Sequence, residues 1–180
     1  YLPRYIQPSK MASPHTEEEI GNQERIAQYI INQMESEDSQ WFYLLGPGTT
    51  TRKIAEVMNQ PKSLLGVDFY HNRNLIAKDL NEQRILELIK DKKVKLVVTP
   101  IGAQGFIFGR GNLQLSPKVL TSIGLKNILI IATRFKISTL PGGKMRIDSR
   151  DQGFDKNFSG LHRVIVDFGE LVIVDVESVR

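Results

Sequence analysis

Residues 41–51 read WFYLLGPGTTT, an apolar and aromatic run that passes into two glycines separated by a proline and then into three threonines. Such a run without polar interruption is typical of a strand buried on both faces of a parallel sheet. Residues 46–48 predict a tight turn, and residues 52–58 carry apolar side chains at helical spacing. The sequence therefore predicts a strand, a glycine turn and a helix in direct succession.

The same succession continues along the chain. Further helices are predicted to begin near Thr16, Asn81 and Ser116, the first with a Thr-Glu-Glu-Glu segment typical of a capping box. Apolar or β-branched runs predict further strands over residues 63–69, 94–98 and 127–132. This alternation predicts an α/β fold in which helices cover both faces of a parallel sheet, in three layers.

The last third of the chain has a different pattern. Alternating or β-branched character predicts strands over residues 135–140, 144–148, 162–167 and 170–176. Pro-Gly-Gly at residues 141–143 is typical of a hairpin between the first two of them. We therefore expect an antiparallel or edge β extension of the sheet at the carboxyl end.

The length and the termini indicate the domain organisation. A chain of 180 residues with 41% apolar residues is enough for one domain with one core. Residues 1–15 contain Pro3, Pro8 and Pro14 without any periodicity, which predicts an extended arm followed by a single domain over residues 16–180. Because the chain opens on Tyr1 rather than Met, we expect it to be a segment of a longer protein.

Composition excludes several classes of protein. The chain has no cysteine, and its three histidines show no metal-ligand spacing, so we predict no metal site built by the protein. No apolar run approaches the roughly 20 residues that cross a bilayer, and a cytoplasmic location is expected. A net charge of +4 and a pI of about 9.3 suit an anionic ligand. We expect no nucleic-acid partner, because clustered basic residues are few.

The turn after the first strand is the first candidate site. Glycines let a backbone approach a phosphate, threonines supply hydroxyl donors, and a following helix directs its free amides at the anion. The turn matches neither a P-loop nor a dinucleotide fingerprint. A plain strand-to-helix turn with Thr51 as the N-cap is the alternative. The candidate phosphate-binding residues are Gly46, Gly48, Thr49, Thr50 and Thr51.

The glycine-rich segment over residues 101–115 is the second candidate site. A long loop of this kind inside a compact domain is usually functional, because ordering it costs much conformational entropy. An arginine can bind a phosphate, and the amides can bind a base or a ribose. The alternative is a loop that packs Phe106 and Phe108 into the core. The candidate binding residues are Gly102, Gln104, Gly105, Arg110, Gly111, Asn112 and Gln114.

Charged residues near strand ends are weaker candidates. Asp68 is a candidate general base or hydroxyl-binding residue, with an aspartate that caps the next turn as an equal alternative. Arg134 and Lys136 follow the 127–132 strand and are candidates to face the crevice at the carboxyl ends of the parallel strands. The alternative is that both side chains are simply exposed to solvent. His162 is expected to be structural or solvated.

Four segments, taken in this order, resemble a known family. They are the turn at residues 46–51, Leu-Leu-Gly-Val-Asp at 64–68, Thr-Pro-Ile-Gly at 99–102, and residues 105–117 with Gly-Phe-Ile-Phe-Gly-Arg-Gly-Asn. Together they resemble the carboxyl-terminal half of the predicted ATP- or polyphosphate-dependent NAD kinases, a group that includes a protein encoded with acetoin-catabolism genes. The resemblance spans roughly residues 7–176.

The resemblance implies a reaction and its cofactors. In this family a phosphoryl group passes from ATP or polyphosphate to the 2′-hydroxyl of the NAD adenosine ribose, with a divalent cation such as Mg²⁺. The family's Gly-Gly-Asp-Gly motif, whose aspartate is the expected catalytic base, does not occur in these 180 residues, and Ala103 replaces a common glycine. We therefore expect this segment to bind part of the nucleotide without catalysing the transfer alone.

Two other readings of the same residues remain open. The strand followed by Gly-x-Gly-Thr-Thr-Thr also resembles the phosphate loop of ribose-phosphate isomerases and related sugar-phosphate sensor domains. The apolar strands near residues 164–176 favour assembly, and a homo-oligomer is expected.

Overall fold

The computed structural model describes residues 16–179, so the arm predicted over residues 1–15 lies outside the described residues. Within this span the strands are β1 (Trp41–Leu45), β2 (Asp68–His71), β3 (Asn74–Ala77), β4 (Lys93–Val98), β5 (Phe106–Gly109), β6 (Ile128–Ile131), β7 (Lys144–Asp148), β8 (Gly160–Asp167) and β9 (Glu170–Ser178). The α-helices are α1 (Glu17–Ser36), α2 (Thr49–Val57), α3 (Glu82–Ile89), α4 (Pro117–Ile123), α5 (Arg134–Thr139) and α6 (Gln152–Phe158). None of the described helices is long and apolar enough to span a membrane.

The strands form one mixed sheet in the order β3-β2-β1-β4-β6-β8-β9-β7-β5. Strands β1, β4, β6 and β8 run parallel, so their carboxyl ends meet at one edge of the sheet. Strand β9 is antiparallel to β8, and β7 and β5 continue parallel to β9. The α/β fold predicted from the sequence is confirmed, with a mixed sheet in which most neighbouring strands are parallel.

Both faces of the central strands are covered, which explains why the run over β1 has no polar residue. On one face, α1 and α2 pack Ile30 and Ile54 against Tyr43 and Leu45. On the other face, residues of α3, α4 and β5 enclose Leu44. Alternate residues of the same strand therefore belong to two separate cores, as burial between two layers requires.

The predicted helix starts at Thr16, Asn81 and Ser116 are confirmed by their caps. The Thr16 hydroxyl accepts a hydrogen bond from the Glu19 amide at 3.1 Å, and the Asn81 side chain accepts from the Arg84 amide at 2.8 Å. Ser116 caps α4 in the same way, with a proline in the first turn. A side-chain acceptor at this position satisfies an amide that has no partner within the helix.

The strand predicted over residues 63–69 is wrong in place and in direction. Strand β2 begins only at Asp68 and is antiparallel to β1. It forms a hairpin with β3 through Asn72 and Arg73, which both have a positive φ. The preceding residues do not pair, because the Asp68 carboxylate accepts hydrogen bonds from Ser63 and folds the segment back. Leu64 consequently lies exposed.

The strand predicted over residues 135–140 is wrong, because this segment forms α5. The Thr133 hydroxyl accepts from the Lys136 amide at 3.1 Å and caps the helix, so local capping wins over the apparent alternation. The predicted hairpin at residues 141–143 is a 3₁₀ turn that leads from α5 to β7.

The antiparallel pair β8–β9 predicted near the carboxyl end is present, and β7 and β5 extend the sheet beyond it. Two further predictions need correction. The 101–115 segment is not all loop, because its Phe106–Gly109 part is the buried strand β5. Helix α2 begins at Thr49 and not at Arg52, and its N-cap is Gly48 rather than Thr51. Helix α6, capped by Asp151, was not predicted.

Candidate functional site

A cavity of about 230 Å³ lies where the carboxyl ends of β1, β4 and β6 meet. It is lined by residues 48–50 after β1, residues 99–102 after β4, Thr133 and Lys136 after β6, and Glu19 of α1. Ligands of open α/β sheets bind at this edge, because loops from neighbouring parallel strands converge there. Of the residues predicted from sequence, this cavity brings together Gly48, Thr49, Thr50 and Gly102 with Lys136.

The turn after β1 is held rigidly by its own hydrogen bonds. The Gly46 amide donates to the Val97 carbonyl at 2.9 Å, and the buried Thr51 hydroxyl donates to the Gly46 carbonyl at 2.6 Å. Gly48 has a φ of 125°, and a Cβ at this position would lie 2.5 Å from Cγ2 of Thr99. The turn therefore requires glycine at position 48, and Thr51 stabilises the turn instead of facing the cavity.

Thr49 and Thr50 line the cavity, and Gln23 binds both of their hydroxyl groups. The side-chain amide of the buried Gln23 donates to Oγ1 of Thr49 at 3.3 Å and to Oγ1 of Thr50 at 3.4 Å. A hydroxyl that accepts one hydrogen bond still has its proton to donate. Gly48 gives α2 no side-chain cap, so the first-turn amides are open to an anion as well.

Lys136 provides the positive charge of the cavity. Its Nζ donates to the Gly102 carbonyl at 2.7 Å, which places the ammonium beside the loop after β4. Burial lowers the pKa of Lys136, and the nearby charge of Glu19 partly offsets this effect. The sequence placed Lys136 on a strand; the capped turn at Thr133 is what directs it toward the cavity.

Glu19 supplies the carboxylate of the cavity. The Thr133 hydroxyl donates to its Oε2 at 3.3 Å, which links α1 to α5. The next turn of α1 is fixed by Asn22, whose Nδ2 donates to the Val166 carbonyl at 2.7 Å and whose Oδ1 accepts from the Arg134 amide at 2.8 Å. Sequence reasoning missed Glu19, because the capping-box pattern explained this glutamate as a helix-start residue.

The second predicted segment contributes Gly102 to the cavity, whereas Arg110, Gly111, Asn112 and Gln114 do not line it. The Asn112 side chain accepts from the Gly109 amide at 3.0 Å and donates to the Ile107 carbonyl at 3.1 Å. Arg110 is exposed, lies 4.7 Å from the Phe106 ring centroid and pairs with Asp148 at 3.3 Å. These contacts support the alternative in which the segment packs its aromatic rings, and ligand binding there stays a prediction.

The two remaining residues of this segment, Gln104 and Gly105, do not line the cavity. Gln104 is exposed, and its backbone carbonyl accepts from Arg146 at 3.1 Å. Gly105 is buried, and a Cβ there would lie 2.6 Å from Cδ2 of Leu140. Close packing against Leu140 at the end of α5 therefore explains why position 105 is a glycine.

Asp68 is fully buried and has partners at both oxygens. Its Oδ2 lies 2.5 Å from Nζ of the buried Lys62 and accepts from the Ser63 hydroxyl at 2.9 Å, while Oδ1 accepts from the Asp79 amide at 2.8 Å. Burial lowers the pKa of Lys62 in spite of this pairing. Asp68 lies opposite Leu45 at the same edge of the sheet but does not line the cavity. Its contacts support the turn-capping alternative, and a catalytic role stays an untested prediction.

A comparison with known protein families gives a match over most of the chain. The family model described as the ATP-NAD kinase C-terminal domain matches residues 43–175. The chain belongs to this family. No curated protein and no solved structure matched the chain significantly.

The match to the ATP-NAD kinase C-terminal domain extends from within β1 to within β9. It includes the turn after β1, the glycine-rich segment and Lys136. Helix α1, with Glu19, Asn22 and Gln23, precedes the matched stretch.

A divalent cation is implied by the ATP-NAD kinase family, and the donor set can be tested against it. Over residues 16–179, no group of three or more histidine, aspartate or glutamate side chains is placed to hold a metal ion. The cavity itself has one carboxylate, that of Glu19. The described side chains alone therefore form no Mg²⁺ site, and a cation at Glu19 would need substrate phosphates as further ligands.

Proposed function

We propose that the cavity at the carboxyl ends of β1, β4 and β6 binds a phosphate-bearing part of the nucleotide in the NAD kinase reaction. In this reaction a phosphoryl group passes from ATP or polyphosphate to the 2′-hydroxyl of NAD. The observation that carries the proposal is the contact of Gln23 with Thr49 and Thr50, because it leaves both hydroxyl protons available to an anion.

Three kinds of donor support anion binding at one place. They are the hydroxyls of Thr49 and Thr50, the uncapped first-turn amides of α2, and the ammonium of Lys136. A partly dehydrated ammonium gains more from a bound anion than one in free water, because the effective dielectric constant is lower. An anion next to Lys136 would therefore also reverse part of the lowering of its pKa.

Two glycines support close approach of the ligand to the backbone. Gly48 and Gly102 both line the cavity, and a Cβ built on Gly102 would meet nothing within 4 Å. The space in front of Gly102 is therefore open to a ligand. A phosphate in contact with main-chain amides needs such positions without side chains.

We further propose that these 180 residues bind the nucleotide without transferring the phosphoryl group on their own. Phosphoryl transfer requires donor, acceptor and metal to be positioned together. The cavity offers binding groups and a single carboxylate, and the Gly-Gly-Asp-Gly motif does not occur in this sequence. The chain is therefore expected to give no NADP when it is incubated with NAD, Mg²⁺ and either phosphoryl donor.

Isothermal titration of the chain with NAD, NADP, ATP, polyphosphate and ribose 5-phosphate tests the proposal. Saturable binding of NAD or ATP that inorganic phosphate weakens is the expected result. Absence of heat with all five ligands would overturn it. Saturable binding of ribose 5-phosphate alone would instead support the sugar-phosphate alternative.

A further inference from the structure

We propose that a separate anion site lies at the opposite edge of the sheet, in a cavity lined by Lys92, Lys93 and Lys126. Its ligand is a small, multiply charged phosphate anion, such as a diphosphate or a triphosphate. The cavity has a volume of about 350 Å³ and lies where β1, β4 and β6 begin. The proposed nucleotide cavity lies where these strands end, and the six residues of β4 set the two edges roughly 16 Å apart.

The charges that line this cavity are all of one sign. Lys92, Lys93 and Lys126 line it, and no aspartate or glutamate is among the described residues that do. All three lysines are exposed, and none of them forms an ion pair with another described residue. Ammonium groups gathered without counter-charges repel one another, and a bound polyanion relieves this repulsion.

Aromatic rings hold two of the ammonium groups at this edge of the sheet. Nζ of Lys93 lies 5.8 Å from the ring centroid of Trp41, which also lines the cavity. Nζ of Lys92 lies 5.7 Å from the ring centroid of Phe42. A ring face attracts an ammonium, whereas the N–H groups that point away from the ring stay free to donate to an anion.

The backbone that carries the lysines is fixed on both sides of the cavity. The Lys92 amide donates to the Ile89 carbonyl at 3.1 Å. On the other side, Nδ2 of Asn127 donates to the Ile123 carbonyl at 2.9 Å and holds the turn that carries Lys126. Because these turns are already ordered, a ligand has to order only the lysine side chains when it binds.

Helix ends account for only part of this cluster. Lys92 and Lys126 follow the carboxyl ends of α3 and α4, where the helix dipole favours a cation. Each helix end is equivalent to roughly half a negative charge, so two ends do not balance three lysines. A neighbouring depression that shares Lys92 and Lys93 also contains Asp91. The expected position of the anion is therefore on the Lys126 side.

The number of charges decides the ligand class. A single carboxylate offers one negative charge, whereas a diphosphate or a triphosphate offers several charges and many acceptor oxygens in a small volume. Lysine binds phosphate as a point charge, without a fixed fork of donors. The sequence shows only the basic run at residues 90–93, and the fold adds Lys126 to it from the turn after α4. One phosphate anion can therefore contact both segments.

An NMR titration of the isotopically labelled chain with inorganic tripolyphosphate tests the inference. We expect saturable shifts at the amides of residues 92–94 and 126–127. Combining Lys92→Gln, Lys93→Gln and Lys126→Gln should weaken this binding by at least about tenfold. The three corresponding changes to arginine keep the charge and should preserve it. Tighter binding of long-chain polyphosphate at the same amides would identify the polymer as the source of the phosphate, and equal binding would identify a short free anion.

Two further lysine variants serve as controls. Lys118→Gln should leave the binding unchanged, because Lys118 is an exposed lysine of α4 that does not line this cavity. Lys136→Gln, at the proposed nucleotide cavity, should leave the shifts at residues 92–94 and 126–127 unchanged, so the two sites are tested independently.

Two results would overturn the inference. One is an affinity of the triple glutamine variant equal to that of the wild-type protein. The other is the same set of shifts with sodium chloride at matched ionic strength, which would show general screening of the lysines. If the triple variant does not fold, Lys126→Gln alone should weaken tripolyphosphate binding by about threefold, and an unchanged affinity of this variant would also overturn the inference.

Discussion

Nζ of Lys136 lies 2.7 Å from the carbonyl oxygen of Gly102, so the helix after β6 closes onto the loop after β4. This contact joins two segments that are 34 residues apart in the chain. The Lys136 side chain lines the same cavity as Thr49 and Thr50 of the first turn of α2. A cation and two hydroxyl donors at one edge of the sheet define the proposed phosphate position.

Removing the charge of Lys136 should weaken anion binding more than it weakens the fold. For Lys136→Gln we expect about a tenfold loss of affinity for NAD or ATP, since a charge-assisted hydrogen bond is lost. The midpoint of urea unfolding should change little, because the variant side chain is partly exposed to water. Lys118→Gln, on the exposed side of α4, is the control and should leave the affinity unchanged. An unchanged affinity of Lys136→Gln for NAD or ATP would show that Lys136 does not contribute to ligand binding.

Gly48→Ala should destabilise the protein through a steric contact as well as through backbone strain. The added Cβ would lie 2.5 Å from the Thr99 side chain at a φ of 125°. Gly111→Ala is the matched control, because Gly111 has a φ of 120° and open space around its Cβ position. We expect Gly48→Ala to lose about 1–3 kcal/mol more of the free energy of unfolding than Gly111→Ala, measured in urea. Equal losses of unfolding free energy in the two variants would show that the Thr99 side chain moves aside without destabilising the protein.

The Lys62–Asp68 ion pair should behave as a structural element. Asp68→Asn leaves a buried ammonium without its counter-charge and should lower the free energy of unfolding by about 3–5 kcal/mol. Lys62→Met should be similarly costly, whereas Lys62→Met with Asp68→Leu should cost less than the sum of the two single changes. The NAD affinity of the folded Asp68→Asn protein should stay within about twofold of wild type. A large loss of affinity with unchanged stability would restore Asp68 as a ligand-binding or catalytic residue.

Alkaline stability should be limited by two buried phenols. Burial, followed by its hydrogen bond to Glu37, raises the pKa of Tyr43, and burial raises the pKa of Tyr70. Above pH ~10 the unfolded chain releases these protons while the folded protein retains them, so stability falls as the pH rises.

Each of these tyrosines contributes a slope of at most about 1.4 kcal/mol per pH unit. Tyr43→Phe should therefore flatten the loss of stability between pH ~10 and ~11, as followed by urea unfolding at each pH. Tyr29→Phe, on a partly exposed ring of α1, is the comparison variant. A slope that Tyr43→Phe does not change would contradict the burial effect.

Local patterns in the sequence were sufficient for the part of the fold that carries the site. A short apolar run that ends in a glycine turn is typical of a strand with both faces covered, and this placed β1 and the turn at residues 46–48 correctly. The caps at Thr16, Asn81 and Ser116 are also local signals. Residues 135–140 were mistaken for a strand, because the sequence analysis did not identify Thr133 as the N-cap that makes them helical.

The remainder of the site depends on distant contacts that a single sequence does not display. Glu19 reaches the cavity only because Asn22 and Gln23 bond to residues of α2, α5 and β8. Asp68 was expected at the end of a parallel strand, but it begins the antiparallel strand β2 opposite Leu45, and its burial with Lys62 could not be predicted. Sequence patterns locate loops at an edge of the sheet, whereas packing decides which side chains of those loops face the same space.

The most direct test of the central claim is an NMR titration of the isotopically labelled chain with NAD, followed through its backbone amide signals. We expect the largest shifts at the amides of residues 48–51, Gly102 and Lys136, and we expect Lys136→Gln to reduce them at equal ligand concentration. Saturable shifts confined to other surfaces, or no shifts at these amides at saturating NAD, would contradict the assignment of this cavity as the nucleotide site.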